Sequence, residues 1–194
     1  MSEATSVLGL HLSPNKNGSS RVLLDKFGQG VTEAGLIFSV LSVSDYPKIS
    51  GCVECGACAK TGQCQIKDDM AVFYQAFSQN SRIVVSSSLF FYDVPAQGKA
   101  VIDRSQAFWS KRYVLGENQD GRPGAGGFLL AVGATKGKDL FTPISLSIKY
   151  FYDALAFPKT FGTLFFRKIE GPADLTEEDL LSAKTAGLEF ARAN

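Results

Sequence analysis

The chain has 194 residues, close to one domain at roughly 150 residues per domain and long enough to take about 70% of its unfolded surface out of water. Hydrophobic residues make up 45% and charged residues 20%, which argues against disorder, collagen and coiled coil. With 20 Lys and Arg against 19 Asp and Glu there is no basic excess for a nucleic-acid backbone, and a single histidine, His11, removes mechanisms that need a His dyad, a Ser–His pair or a multi-His metal site.

The elements follow in chain order. The run Ser6 to Leu12 is short, apolar and ends at Ser13-Pro14, which predicts a buried strand. A polar loop over Asn15 to Ser19 leads into Leu23, Leu24, Phe27 and Val31, which repeat at helical spacing up to a stop at Gly35. Leu36 to Val43 predicts the second strand. Residues 44–67 form a long connection, after which Asp68 is an N-cap candidate for a helix whose apolar face is Met70, Phe73, Tyr74 and Phe77. Ile83-Val84-Val85 begins the third strand, which runs into Ser86-Ser87-Ser88 and an aromatic loop. A helix follows from about Pro95 to Trp109.

A polar, Gly-rich loop over Gly116 to Gly126, read as a lid or an oligomer contact, precedes the fourth strand at Phe128 to Val132. Ile144, Ile148, Phe151 and Leu155 mark a helix after Pro143, Thr163 to Phe166 the fifth strand, and Thr176 the cap of the last helix through the amide of Asp179. Five short apolar strands alternating with five helices predict an α/β fold, a parallel sheet covered on both faces. The chain is thus expected to be a single domain over residues 1–194 with one cysteine-rich insertion at about 44–67. In such sheets ligands bind beyond the carboxyl ends of the strands, where strand order reverses.

The N-terminal run is too short for a signal segment, and nothing approaches the ~18 apolar residues of a membrane span. The expectation is a cytoplasmic protein without membrane contact. All four cysteines, Cys52, Cys55, Cys58 and Cys64, fall in that insertion, whereas a secreted disulfide scaffold distributes them, so metal or redox chemistry is the better reading. The spacing C-x2-C-x2-C-x5-C departs from the paired knuckles of a structural zinc site and resembles the compact wrapping of an iron–sulfur cubane. It also departs from the common ferredoxin run, since no Pro follows Cys64. Zinc, a disulfide pair and free thiols remain open beside the 4Fe–4S cluster.

The loop after the first strand, Ser13-Pro14-Asn15-Lys16-Asn17-Gly18-Ser19-Ser20, combines hydroxyls, amides and a glycine at the positive end of a helix, a ready anion site. It is neither a dinucleotide fingerprint nor a Walker loop. A monophosphate cradle and an ordinary polar loop both fit it.

Taken together, the S-P-x-K-N-G-S-S loop, the block from Ile49 through Cys52 and Cys64 to Ile66-Lys67-Asp68-Asp69-Met70, and Ala96-Gln97-Gly98-Lys99 to Ile102-Asp103-Arg104 resemble the iron–sulfur flavoproteins and their NADPH-dependent FMN reductase relatives. The resemblance spans about residues 6–170. It implies a flavodoxin-like three-layer sandwich with strand order 2-1-3-4-5, bound FMN, and in clustered members a 4Fe–4S centre on Cys52, Cys55, Cys58 and Cys64 that exchanges electrons with the flavin. It further implies NAD(P)H as a possible reductant, ferredoxin as a possible partner, and a homodimer or homotetramer.

By the same resemblance Ser13, Asn15, Asn17, Gly18, Ser19 and Ser20 fall at the FMN phosphate. Lys16 stands beside Asn15, where the family often carries Arg, as a substitute charge. Ser87, Ser88, Leu89, Phe90, Phe91 and Tyr92 fall beside the flavin ring, with Tyr92 narrowing access to it, and Gly133 and Thr135 lie in a third flavin-side loop. No side chain is required as a general acid, because flavin accepts a hydride or single electrons itself. The alternatives are a cluster-free NAD(P)H-dependent FMN or quinone reductase and a non-enzymatic flavodoxin-like electron carrier. His11, inside an apolar strand, is expected to be a packed, hydrogen-bonded residue.

Overall fold

The computed structural model describes residues 6–117, 124–158 and 160–193. The strands are β1 (Ser6–His11), β2 (Ile37–Ser42), β3 (Arg82–Ser88), β4 (Gly126–Gly133) and β5 (Thr160–Arg167). They pair in parallel in the order β2-β1-β3-β4-β5, as expected for a flavodoxin-like fold. The helices are α1 (Ser19–Glu33), α2 (Ala57–Thr61), α3 (Met70–Gln79), α4 (Ala96–Arg104), α5 (Gln106–Trp109), α6 (Thr142–Ala154) and α7 (Glu177–Arg192). Among them α2 lies in the cysteine segment and has no counterpart in the sequence-based assignment. The helix expected from Pro95 to Trp109 breaks at Ser105 into α4 and α5 and continues as a π-helical turn over Ser110–Val114. Residues 118–123, the centre of the loop read as a lid or an oligomer contact, lie outside the described residues.

Alternation along each strand builds two cores. Leu8, Leu10, Ile83, Val85, Leu129 and Ala131 face one side, where α3, α5 and α6 supply Phe73, Phe77, Phe108, Ile148 and Phe151. Val7, Val84, Phe128, Leu130 and Val132 face the other, against Leu23, Phe27 and Val31 of α1 and Ala183 and Phe190 of α7. The second layer closes tightly because α1 and α7 approach backbone to backbone. A Cβ on Gly30 would lie 2.0 Å from the Lys184 carbonyl oxygen, and one on Gly187 2.0 Å from that of Phe27. Only glycine tolerates such contact. Thr176 caps α7 as expected, its hydroxyl accepting from the Asp179 amide at 3.1 Å. At the other end of α7 the buried Arg82 donates to the carbonyls of Phe190 and Ala191 at 3.0 and 2.9 Å, so the last helix turn is tied to the start of β3. No helix among the described residues is long and apolar enough to cross a membrane.

His11 closes β1 with no solvent exposure. Its Nδ1 pairs with Ser42 Oγ at 2.9 Å and its Nε2 with Ser20 Oγ at 3.1 Å; a neutral imidazole offers one donor and one acceptor, and a hydroxyl can answer either. It is the packed histidine expected of it. Burial, reinforced by Arg21, pushes its pKa down to about 4. Because the folded-state pKa lies below the unfolded value of ~6.5, the unfolded chain binds a proton first, and stability falls as pH drops from about 6.5 towards 4. With one histidine in the chain, the window above the carboxylates isolates this effect. Urea midpoints should therefore report a loss of about 2 kcal/mol between pH 6.5 and 5. The loss should vanish in His11→Asn; an equal slope in that variant would assign it to other groups.

Candidate functional site

The strand order reverses between β1 and β3, so the loops leaving them flank the crevice where α/β sheets bind ligands. The first loop is tied to the last residue of β3: Ser13 Oγ, buried, hydrogen-bonds Ser88 Oγ at 2.9 Å. In the first loop the Asn17 amide donates to Asn15 Oδ1 at 3.1 Å and the Gly18 amide to the Asn15 carbonyl at 3.2 Å. Gly18 is the N-cap of α1. No side chain caps this 15-residue helix, and its first turn carries no acidic residue. The helix thus presents unpaired amides and the positive end of its dipole to the crevice.

Ser19 and Ser20 are both buried. The Ser20 hydroxyl is held by His11, and its carbonyl accepts from Ser86 Oγ at 2.7 Å, so its backbone faces the crevice more readily than its side chain. Lys16 is exposed and paired to Asp45 at 2.5 Å; its charge is already shared with a carboxylate. Asn15, Asn17 and Gly18 occupy the turn itself.

At the end of β3, Ser87 and Ser88 belong to the strand rather than to the loop expected of them, Ser87 fully buried and paired with Ala131 and Ser88 paired with Val132. The loop proper is a tight turn. The Phe90 amide donates to the Asp93 carbonyl at 2.8 Å, and the return bond is 3.2 Å. Phe91 and Tyr92 at its tip adopt φ of 50° and 72°, a left-handed conformation that bulky residues rarely take. Asp93 holds this turn by accepting from the Val94 amide and from Ser147 Oγ, both at 2.8 Å. Phe90, Phe91 and Tyr92 are exposed, while Leu89 is half-buried against the core. The Tyr92 hydroxyl reaches the third loop: a Cβ on Gly137 would lie 3.2 Å from it. Gly133 ends β4, and its carbonyl accepts from the Ile169 amide at 3.3 Å. Thr135, two residues on, is exposed.

The four cysteines sit on the other side of α4. All four, Cys52, Cys55, Cys58 and Cys64, line one cleft of about 920 Å³, together with Arg104 and Trp109. The segment winds through left-handed positions at Glu54, Gly56 and Gly62, the two glycines bracketing α2. No residue of α2 is buried. Among the described residues no three His, Cys, Asp or Glu side chains converge to hold a single metal ion. Ser110 Oγ lies 3.6 Å from Cys58 Sγ.

The strongest interaction here was missed at the sequence level. Arg104, 2% exposed, forms a 2.5 Å ion pair with the nearly buried Asp68. It also donates to the Ser50 and Ile66 carbonyls at 3.2 and 3.1 Å and approaches Cys64 Sγ at 3.5 Å. Asp68 in turn accepts from the Ser50 and Met70 amides. The N-cap position of α3 is Asp69 rather than the expected Asp68; Asp68, one residue earlier, holds the first helical amide while also serving as the partner of a buried cation. Burial works against the Cys64 thiolate, but the Ile66 amide, the Tyr74 hydroxyl and Arg104 outweigh it and hold its pKa below the usual thiol value. Removing one partner of such a buried pair costs about 3–5 kcal/mol. Arg104 Nε is buried with no hydrogen-bond partner, an orphan donor in a residue that lines the cleft. A sequence signal existed: Arg104 falls three residues after the buried Val101 and four before the buried Phe108, where a cation needs a specific partner.

Comparison with known proteins bears on this geometry. An iron-sulfur flavoprotein of Archaeoglobus fulgidus is 23% identical over 192 residues, 98% of this chain and 80% of that protein. Iron-sulfur flavoproteins of Methanocaldococcus jannaschii and Methanosarcina thermophila are each 28% identical, over 52% and 56% of this chain; the matches span about half the length of those two relatives. In fold, the chain is similar to an NAD(P)H:quinone oxidoreductase from Methanothermobacter marburgensis, with TM-score 0.71, 16% identity and coverage of 99% and 98% of the two chains. It is also similar to an FMN-dependent NADH-azoreductase from Bacillus anthracis, with TM-score 0.63, 14% identity and coverage of 97% and 98%. The model of the NADPH-dependent FMN reductase family matches residues 5–138, well over half of the chain, and the chain belongs to that family of flavin-dependent oxidoreductases.

Proposed function

We propose that the protein is an FMN-dependent redox protein of the iron–sulfur flavoprotein type, a single domain over residues 1–194 that carries electrons between a 4Fe–4S cluster, or a reduced carrier such as ferredoxin, and FMN. The observation that carries this reading is the single cleft shared by all four cysteines. Four soft thiols along one cleft are the donor set an iron–sulfur cluster takes, and they are not brought to the single point that one ion needs.

The residues present fit FMN as well. The uncapped N-terminus of α1, with Gly18 at its cap and no acidic residue in its first turn, leaves amides for a phosphate. Asn17 and Ser19 would add side-chain donors, with Asn15 fixing the turn through its own carbonyl and amide oxygen and Ser13 tying it to Ser88. Gly18 permits close approach. Ser20 contributes through its backbone, its hydroxyl being committed to His11, and Lys16 contributes a charge only by sharing it with Asp45. The turn over Leu89, Phe90, Phe91 and Tyr92, fixed by Asp93, would bound the flavin ring on one side and Gly133 and Thr135 on another. Ser87 supports that turn from inside the strand. Bound flavin supplies hydride or single-electron chemistry; the chain binds it, orients it and excludes water, and no residue is needed to move a proton.

Cys52, Cys55, Cys58 and Cys64 would hold the cluster as thiolates, Cys64 already favoured in that form by its neighbours. A cluster-free NAD(P)H-dependent FMN or quinone reductase is the second reading, favoured by the absence, among the described residues, of any three metal-ligating side chains in convergent positions. We further propose a cytoplasmic homo-oligomer, since the cysteine segment leaves β2 at the sheet's edge, where a neighbouring subunit is within reach.

Protein purified without oxygen should hold about four iron and four sulfide per chain beside one FMN and show both chromophores in its visible spectrum. FMN with four titratable thiols and no iron would leave the plain reductase, with steady-state NAD(P)H oxidation in the presence of quinone separating it from a carrier. Charge-assisted hydrogen bonds contribute about 1.5–3 kcal/mol each. Asn17→Ala combined with Ser19→Ala should therefore weaken FMN binding about 100-fold or more. Unchanged affinity measured by fluorescence titration would remove this loop from the site.

A further inference from the structure

We propose that Arg104 is a positioning residue of the cysteine site: it straps the two stems of the cysteine segment together and places its guanidinium against Cys64, and so sets the reduction potential of the bound cluster. The inference deepens the iron–sulfur reading above and rests on it.

The geometry is specific. Arg104 is the last residue of α4, and its donors reach both ends of the insertion: the Ser50 carbonyl at 3.2 Å, two residues before Cys52, and the Ile66 carbonyl at 3.1 Å with Asp68 at 2.5 Å, just after Cys64. A planar fork with five fixed donors makes these contacts at once; an ammonium on a flexible stem does not. α2 buries no residue, so the segment between the stems has no apolar core of its own to order it. Cys64 Sγ, 3.5 Å from Nη2, is thereby the one thiol set directly by a buried cation, while Cys52 and Cys55 are exposed. The Nε of the same residue is buried without a partner, which leaves a donor for an acceptor seated in the cleft.

The consequence is electrostatic. One electron entering the cluster from an external reductant adds one negative charge and breaks no bond. A buried cation beside a ligand thiolate stabilises that charge, because screening is weak in the interior. Hydrogen bonding to cluster sulfurs and net charge are the levers by which a protein tunes such potentials. Asp68 opposes Arg104 at 2.5 Å, so the pair delivers a partly cancelled field. Removing either member moves the potential in opposite directions, which mere loosening of the loop does not do.

The test is an anaerobic, EPR-monitored dithionite titration of the holoprotein and of Arg104→Gln, Arg104→Lys and Asp68→Asn, with iron and FMN counted for each. Arg104→Gln should shift the one-electron equilibrium about tenfold towards the oxidised cluster, which is about 59 mV. Asp68→Asn should shift it the other way, and Arg104→Lys should recover part of the loss. Potentials equal to wild type in iron-replete Arg104→Gln and Asp68→Asn, or shifts of the same sign in both, overturn the proposal and leave the cluster reading intact. Iron lost from Arg104→Gln and lowered in Arg104→Lys, with FMN retained in both, supports the strap. If Arg104→Gln loses FMN as well, Asp68→Asn decides by the sign of its shift. A wild-type protein without iron overturns the cluster reading and this proposal with it.

Discussion

A parallel sheet buried on both faces leaves no surface of its own for chemistry, and that constraint organises the molecule. β1, β3 and β4 send alternate side chains into two apolar cores, so polar groups are tolerated only where the strands end. There they are abundant: His11, Ser86, Ser87 and Ser88 stand at the carboxyl ends of β1 and β3, and Ser13 begins the loop that follows. Those that are buried are hydrogen-bonded, His11 to Ser42 and Ser20, Ser86 to the Ser20 carbonyl, Ser13 to Ser88, as low dielectric requires. This polar layer is the floor on which the loops rest. It fixes the first turn of α1 from beneath while leaving its amides open above.

The cysteine segment obeys a different rule. Tyr46 and Ile49 at its start pack against the first core, but α2, which carries Cys58, buries no residue. What orders the rest of the segment is polar and local, namely Arg104 and Asp68 at its stems and the Asp69 carboxylate accepting from the Lys48 amide at 3.1 Å. A buried ion pair contributes little net stability compared with an apolar replacement, yet losing one partner is severe. Such an arrangement specifies one geometry for a loop that would otherwise have many. It is a reasonable solution where the aim is to hold thiols in place rather than to fold a core.

The strands, the apolar helix faces and the cap of α7 were legible in the sequence because each depends on local periodicity or a local hydrogen bond: Val7 to Leu12, Met70-Phe73-Phe77, and Thr176 with Asp179. The strand order, which no local pattern carries, followed only from the family resemblance. The loop after β1 was legible as a polar turn before a helix. Three features were not. Ser87 sits in the strand because β3 continues past its apolar triplet, and pairing with Ala131 extends it where hydropathy alone stops. Ser20 turns its hydroxyl inward because His11, nine residues earlier, needs a partner, a pairing that only the β1–α1 geometry reveals. Asp68 was read as the N-cap of α3, a position that Asp69 takes, and its role as an ion-pair partner depends on Arg104, 36 residues away. Long-range partnership of two charges leaves no periodic trace; the only hint is a cation at a position where the helix is otherwise buried.

The two candidate sites are connected by one rigid element. α4 begins at Pro95, directly after the aromatic turn beside the crevice, and its first turn is pressed onto the end of β1: a Cβ on Gly98 would lie 2.7 Å from the Leu12 carbonyl oxygen. It ends at Arg104 in the cysteine cleft. Nine helical residues rise about 13 Å at roughly 1.5 Å each, and neither end is free to slide, because one is packed on backbone and the other is locked into an ion pair. Gly98 and Arg104 thus hold the two ends of α4, one against backbone and one in an ion pair, and the separation of the crevice from the cysteine cleft follows from the length of the helix between them.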